Sequence, residues 1–192
     1  MTGLIILAVV VGVGLMFLLW AVGIYNTLVT LRQGVDAAWA QIDVQLKRRY
    51  DLIPNLVETV KGYAAHEKGV FEAVTNARAS AINAQKLGPA GAGQLAQAEG
   101  QLAGALKTLF AVAEAYPQLK ANENFLQLQS QLGDTENQIA SVRGMFNETV
   151  RGYNTQTQLF PSSIIAGMFG FTARTYFQVE NAAERQAPAV KF

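Results

Sequence analysis

The 192-residue chain has no cysteine, which excludes disulfides, thiolate metal sites and cysteine nucleophiles and leaves either redox compartment open. It has one histidine, His66. The zinc-binding H-E-x-x-H helix is therefore absent, position 70 being Val, and so are the two Glu-x-x-His pairs of a di-iron carboxylate bundle. A serine triad would have to use the same histidine, and no serine stands in a nucleophile-elbow context. Net charge is nearly absent too, fifteen basic residues facing fourteen acidic ones. Such a balance is poor for neutralising a run of phosphates, so nucleic acid is not an expected partner. No catalytic, cofactor-binding or metal-ligating residue is expected, and the chain reads as non-enzymatic. His66, beside a helix turn, reads as a cap on the carbonyls that end the preceding helix. The glycines of LGPAGAG follow no strand and have no lysine partner, so they do not form a phosphate-binding loop.

Charge is wholly missing from residues 1–31, Arg32 being the first charged side chain. Within that stretch Leu4–Tyr25 is a 22-residue apolar run. At helical rise it spans roughly 33 Å, enough to cross a hydrocarbon core. Trp20 and Tyr25 suit the headgroup boundary at its C-terminal end. The competing readings are a signal peptide, which usually starts with basic residues that MTG does not supply, and a core helix, which would need a larger protein around it. Residues 1–28 are read as a single-pass anchor in the cytoplasmic (inner) membrane. Arg32 is the nearby basic residue, and it favours an N-terminus outside with the body in the cytoplasm.

The body has few strand formers and many apolar positions three or four apart. Val35, Trp39, Ile42, Leu46, Tyr50, Ile53, Val57, Val60 and Ala64 keep this stride through Pro54 without losing phase. One rod bent at Pro54, whose ring removes the bond to the Tyr50 carbonyl, explains the unbroken phase. The alternative is a new helix N-capped by Asp51 with proline in its first turn. The rod should end near Ala65, and a shorter helix with Val70 or Phe71, Val74, Ala77 and Ala81 should end near Lys86. Residues 87–93 hold three glycines and a proline and form the clearest loop. A third helix follows from Gln94 to about Tyr116, with heptad-like Leu95, Ala98, Leu102, Leu106, Leu109 and Ala113, and Pro117 stops it. A fourth carries Phe125, Leu128, Leu132, Thr135, Ile139, Val142, Phe146, Thr149 and Tyr153 to about Gln158. The fold class expected is all-α: a transmembrane helix continuing into an antiparallel, coiled-coil-like bundle of about four long helices over 29–159.

An even number of passes brings the fourth helix back to the membrane. Residues 160–192 then comprise an apolar membrane-proximal segment and a tail. The segment FPSSIIAGMFGF has no charge and reads equally as a hydrophobic flap closing the membrane-proximal end of the bundle and as a contact surface for lipid or a neighbouring subunit, with Phe160, Ile164, Ile165, Met168, Phe169 and Phe171 as the expected contact residues. Lys47, Arg48 and Arg49 look like a basic patch. On an unbroken helix they stand roughly 33 Å past the membrane boundary, so a solvated face or an intersubunit ion pair is expected in place of lipid contact.

Three separated stretches, RRYDLIPNLVETVKGYAAHE, YPQLKANENFLQLQSQLGDTENQIA, and FNETVRGYN with FPSSIIAGMFGF and YF at 176 and 177, together resemble the LemA family. The likeness runs from the anchor to about Glu180, with Phe146 standing where such proteins more often have Tyr. It implies one N-terminal transmembrane helix, a helical body in the cytoplasm, no established enzymatic activity and, through a magnetosome-associated branch, a link to membrane shaping. It also marks Tyr116, Lys120, Asn122 and Phe125 as one motif. Physically Asn122 can cap the fourth helix with Glu123 near its positive end, and the functional alternative is a distal-tip contact. The expected partners are the lipid bilayer, further copies of the chain and other membrane proteins. A self-assembling scaffold is the leading reading, an adaptor or sensor subunit of a membrane-associated enzyme such as a protease the alternative.

Overall fold

Residues 1–178 are described by a computed structural model, and every regular element among them is helical. Six α-helices follow in order: α1 Thr2–Lys61, α2 Lys68–Gln85, α3 Ala92–Glu114, α4 Pro117–Lys120, α5 Glu123–Gln158 and α6 Ser162–Phe169. A 3₁₀ turn, Gly88–Gly91, precedes α3. Residues 179–192, the end of the expected tail, lie outside the described residues. The described residues divide into two compact units, one of Ala38–Asn147 with 175–178 and one of Met1–Ala37 with Glu148–Arg174. The long helices α1 and α5 contribute to both.

In the larger unit α1 passes through Pro54 as one helix, so Asp51 is an interior, exposed residue and not an N-cap. Proline takes away the N–H that would have met the Tyr50 carbonyl. That carbonyl accepts instead from Arg78 Nε of α2 at 2.7 Å, so the missing rung is replaced from a neighbouring helix. Pairs across the unit fix the helix directions. As α1 rises from Asp43 to Tyr50, its partners fall from Gln85 to Arg78 on α2. On α5 they fall from Phe146 (opposite Trp39) through Glu136 (Arg49) to Asn122 (Tyr63) just before the helix. Both pairings are antiparallel.

Most residues of the stride are buried, while Ala77, Leu128, Val142 and Thr149 are half-buried. Trp39, Ile42, Leu46, Tyr50, Ile53, Val57 and Val60 of α1 are buried, as are Phe71, Val74 and Ala81 of α2. So are Leu95, Leu102, Leu106 and Leu109 of α3 and Phe125, Leu132, Thr135, Ile139 and Phe146 of α5. Each large apolar side chain so buried stabilises by about 1.5–3 kcal/mol. That outweighs the cost of Gly133 and Gly144 in α5, about 1 kcal/mol each against alanine. Leu56, fully buried, belongs to the same core and lies off the expected stride.

Helix ends follow local chemistry. At the end of α1 the Glu58 and Val60 carbonyls accept from the N–H groups of Gly62, Tyr63 and Ala64. The backbone satisfies this end, and His66 is exposed with no hydrogen bond to it; the expected histidine cap is corrected. The glycine-rich loop is shorter than expected, because α3 starts at Ala92. Gly88 has φ +65° and a Cβ at Gly91 would meet Leu87 Cβ at 2.3 Å, so both positions require glycine. Asn122 Oδ1 accepts the Phe125 N–H at 3.0 Å, and Glu123 lies in the first turn of α5.

The smaller unit begins with a segment of α1 long and apolar enough to cross a membrane, none of whose apolar window is buried by the chain. Its buried apolar side chains are Leu28 and Val35 of α1, Val150 and Tyr153 of α5, Ile165 and Ala166 of α6, and Phe171. Gly170, at φ +71°, ends α6 in the left-handed region, and the Phe171 N–H closes back on the Ala166 carbonyl at 2.9 Å.

Candidate functional site

The corner between α5 and α6, in the smaller unit, is built by a serine. The buried Ser162 hydroxyl donates to the Gln156 carbonyl at 2.5 Å, with the Leu159 carbonyl at 2.9 Å. Carbonyls that α5 leaves open at its end are thereby occupied. The Leu159 carbonyl also accepts the Ser163 N–H at 2.7 Å, and the Ile164 N–H meets the Pro161 carbonyl at 3.2 Å. With the chain turned this way, helical period separates two faces on α6. Ile165 and Ala166 point inward, whereas Phe160, Ile164, Met168 and Phe169 are 81%, 55%, 73% and 58% exposed. Of the six contact residues expected here, Ile165 and Phe171 are buried and four remain as an outward ridge. The Tyr25 ring packs edge-on to Phe169 and Phe171, with centroids 4.9 and 5.6 Å apart. Arg32 lies over the Phe171 ring at 5.1 Å.

Two asparagines of the FNETVRGYN stretch hold the non-helical segment that follows α6. In the smaller unit Asn154 grips Arg174 at both backbone groups: its amide donates to the Arg174 carbonyl at 2.8 Å and its oxygen accepts the Arg174 N–H at 2.7 Å. The Tyr153 hydroxyl donates to the Thr172 carbonyl at 3.0 Å. In the larger unit Asn147 grips Phe177 likewise, at 3.0 and 2.8 Å. The Phe177 ring is buried, with Trp39 at 6.3 Å and the Arg143 guanidinium at 4.8 Å. A primary amide offers a donor and an acceptor side by side, so one side chain satisfies one residue's backbone in full. Sequence reasoning missed both clamps. Their signal was two asparagines, weak helix formers, seven residues apart on one face of α5, each next in sequence to Phe146 or Tyr153 of the buried stripe.

The larger unit also contains a buried charge cluster. Arg49 donates to Glu99 of α3 at 2.8 Å and to Glu136 of α5 at 3.1 Å, and the Tyr50 hydroxyl donates to Glu99 as well. Arg49 and Glu99 are both buried and Glu136 is exposed. The basic patch therefore splits: Lys47 and Arg48 are exposed, while Arg49 turns into the bundle and its ion pairs are intrachain. The reason is phase, since Arg49 falls on the stripe beside Leu46 and Tyr50. Burial pushes the Glu99 carboxyl up, against the opposing pull of Arg49. Burial, and then the Glu99 charge, push the Tyr50 hydroxyl far up. Each of the four side chains is bonded to another, so the cluster of Arg49, Tyr50, Glu99 and Glu136 ties α1, α3 and α5 together. Next to it a groove of about 410 Å³ runs between α3 and α5, lined by Leu106, Phe110, Leu132 and Gly133 among others.

At the distal motif, Asn122 is committed to capping α5 and to a 3.1 Å bond with the Tyr63 hydroxyl, and Phe125 is buried beside Phe110. Lys120 is exposed and Tyr116 half-buried. Two of the four expected tip residues are thus structural. Among the described residues no cluster of three or more acidic or histidine side chains could hold a metal ion.

The model of the LemA family matches residues 38–192. Magnetosome protein MamQ of Magnetospirillum gryphiswaldense is 29% identical over 181 residues, covering 83% of this chain and 66% of its own length. The magnetosome proteins MamQ 1 and MamQ 2 of Paramagnetospirillum magneticum are 28% identical with the same coverage. Protein LemA of Metamycoplasma hominis is 24% identical over 163 residues, 84% of this chain and 71% of its own. The chain spans just under two thirds, 66%, of the magnetosome relatives it matches.

Proposed function

The chain belongs to the LemA family, and from that premise we propose that it is a membrane-anchored, non-enzymatic helical scaffold that self-associates and organises or shapes its membrane. The observation that carries this reading is the outward apolar surface of the smaller unit. The anchor window is unburied and the ridge beside Tyr25 is exposed, which suits a body held against a bilayer. In the larger unit the buried Arg49, Tyr50 and Glu99 are bonded to one another and tie α1 to α3, which suits a supporting rod. The groove between α3 and α5, floored by Leu106, Phe110 and Leu132 and open at Gly133, supports self-association by accepting a helix of a second copy. Relatives that are magnetosome proteins favour a role in shaping or furnishing a membrane compartment. The placement is the cytoplasmic membrane, with the N-terminus outside and the body in the cytoplasm, as Arg32 favours.

The test is the mass of the full chain after gentle solubilisation, together with cross-linking in cells. A multimer in both is expected. A strict monomer in both overturns the scaffold.

A further inference from the structure

We propose that the α5–α6 corner is a second membrane element, in which Phe160, Ile164, Met168 and Phe169 insert at the boundary between headgroups and hydrocarbon. The inference rests on the anchored reading above and goes beyond it by assigning lipid to this ridge.

Four observations converge. The ridge exposes four large apolar side chains, three of them at steps of four residues. It continues the apolar surface of the anchor, because Phe169 meets Tyr25 where that surface ends. Residues 152–173 contain no charged side chain. The backbone of the corner is closed on itself through Ser162, Ser163, Ile164 and Phe171. A medium without water demands that closure, since an open N–H or carbonyl there is costly. The threonines of α1 next to this level do the same: Thr27 and Thr30 donate to the Gly23 and Asn26 carbonyls of their own helix at 2.9 Å.

The charges that frame the zone set its depth and the lipid chemistry it takes. Arg151 pairs with Glu148 at 2.6 Å, Arg174 lies 4.0 Å from Asp36, and Arg32 covers Phe171. Each has a partner within the chain, so insertion is hydrophobic and needs no anionic headgroup. A second copy is the weaker occupant. Beside lipid, apolar side chains gain no hydrophobic driving force from pairing with one another.

The absence of cysteine makes a direct test clean. Met168→Cys and Ile164→Cys, each carrying a nitroxide, are placed in the full chain in phosphatidylcholine nanodiscs, with Lys120→Cys as a water-facing reference and Val13→Cys as an anchor reference. Collision rates with oxygen and with a nickel chelate are compared. The expected oxygen-to-nickel ratio at 164 and 168 is severalfold above that at 120 and approaches that at 13, and adding phosphatidylglycerol leaves it unchanged. A ratio at 168 equal to that at 120 overturns the inference while a high ratio at 13 leaves the anchor standing. Spin–spin broadening between copies at 168 also overturns it, by assigning the ridge to a second copy. Nickel access at 13 removes the anchor and the ridge together, and the mass measurement separately judges self-association.

Discussion

In the larger unit, apolar side chains at helical spacing turn inward and a buried arginine with its glutamate and tyrosine is locked among them. In the smaller unit most large apolar side chains of α1 and α6 face outward, Leu28, Val35 and Ile165 being buried, and the buried polar work is done by amide and hydroxyl groups, Asn154 and Ser162, acting on backbone. One helix, α1, carries both patterns. From Val35 onward its apolar residues form a stripe, and before Tyr25 they cover the whole circumference. A stripe is the answer to water on one side, and a full apolar surface is the answer to a medium without water. The difference between the units therefore reports their surroundings as much as their packing.

The comparison breaks most visibly at Arg49. Arg49→Ala leaves the Glu99 carboxyl buried beside Tyr50 without its cation, and should destabilise the larger unit by about 3–5 kcal/mol. Thermal unfolding of the full chain in detergent, followed by circular dichroism, measures this. Arg49→Met with Glu99→Leu should recover part of the loss and not all, because the Tyr50 hydroxyl then has no acceptor. A neutral Arg49→Ala would mean that the charge cluster does not hold the larger unit.

The asparagine clamps sharpen the contrast. Asn147→Ala should cost about 1–3 kcal/mol, the range for leaving buried backbone groups unpaired. Hydrogen exchange should quicken at the Phe177 amide. Asn154→Ala should do the same at the Arg174 amide. Each change is expected to open its own clamp and leave the other protected. Loss of protection at both residues in either variant would mean that the clamps are one device.

These two residues also show where sequence reading stops. The helices were legible because burial follows a period: Trp39, Ile42, Leu46 and Tyr50 announce the face they cover, and Pro117 and Asn122 announce a stop and a start. Pro54 was legible as an interior position of one helix from unbroken phase, but its consequence was not, since the residue that claims the Tyr50 carbonyl, Arg78, lies on another helix. The same limit hid the charge cluster. Arg49 stands in a run of three basic residues that reads as solvated surface, and Glu99 follows Ala98 in α3 with nothing local to pair them. Asn147 and Asn154 look like ordinary polar positions until the segment they grip is folded back. Of the ridge, the composition was plain and the division into Ile165 and Phe171 inside, Phe160 and Met168 outside, needed the turn that Ser162 fixes.

Arg78 gives the next test. Arg78→Ala should cost about 1 kcal/mol by uncovering the Tyr50 carbonyl. In a Pro54→Ala background, where the helix can close its own bond, the same change should cost less. A double-mutant cycle by denaturant unfolding reads the coupling. Additive losses would mean that Arg78 does not substitute for the bond that Pro54 removes.

The smallest effect is a slope, and its sign differs between the units. Burial raises Glu99 above its ordinary 4.5, so between that value and its folded value the native state holds more proton than the unfolded one. Its contribution is full below 4.5 and falls as pH rises through the folded value. Wild type should therefore gain on Glu99→Gln as pH drops from 7 toward 4.5. Glu148 is the reverse case. Its hydrogen bond to Arg151, and then the Arg151 charge, hold the carboxyl below 4.5, so its contribution is present above that value and is lost as pH falls through the folded one. Wild type should lose ground to Glu148→Gln in acid, faintly, because the pair is exposed and screened. Melting temperatures of the three chains across that range decide it. Slopes of the same sign would mean that Arg49 outweighs burial at Glu99, and the buried acid would then behave like the exposed one.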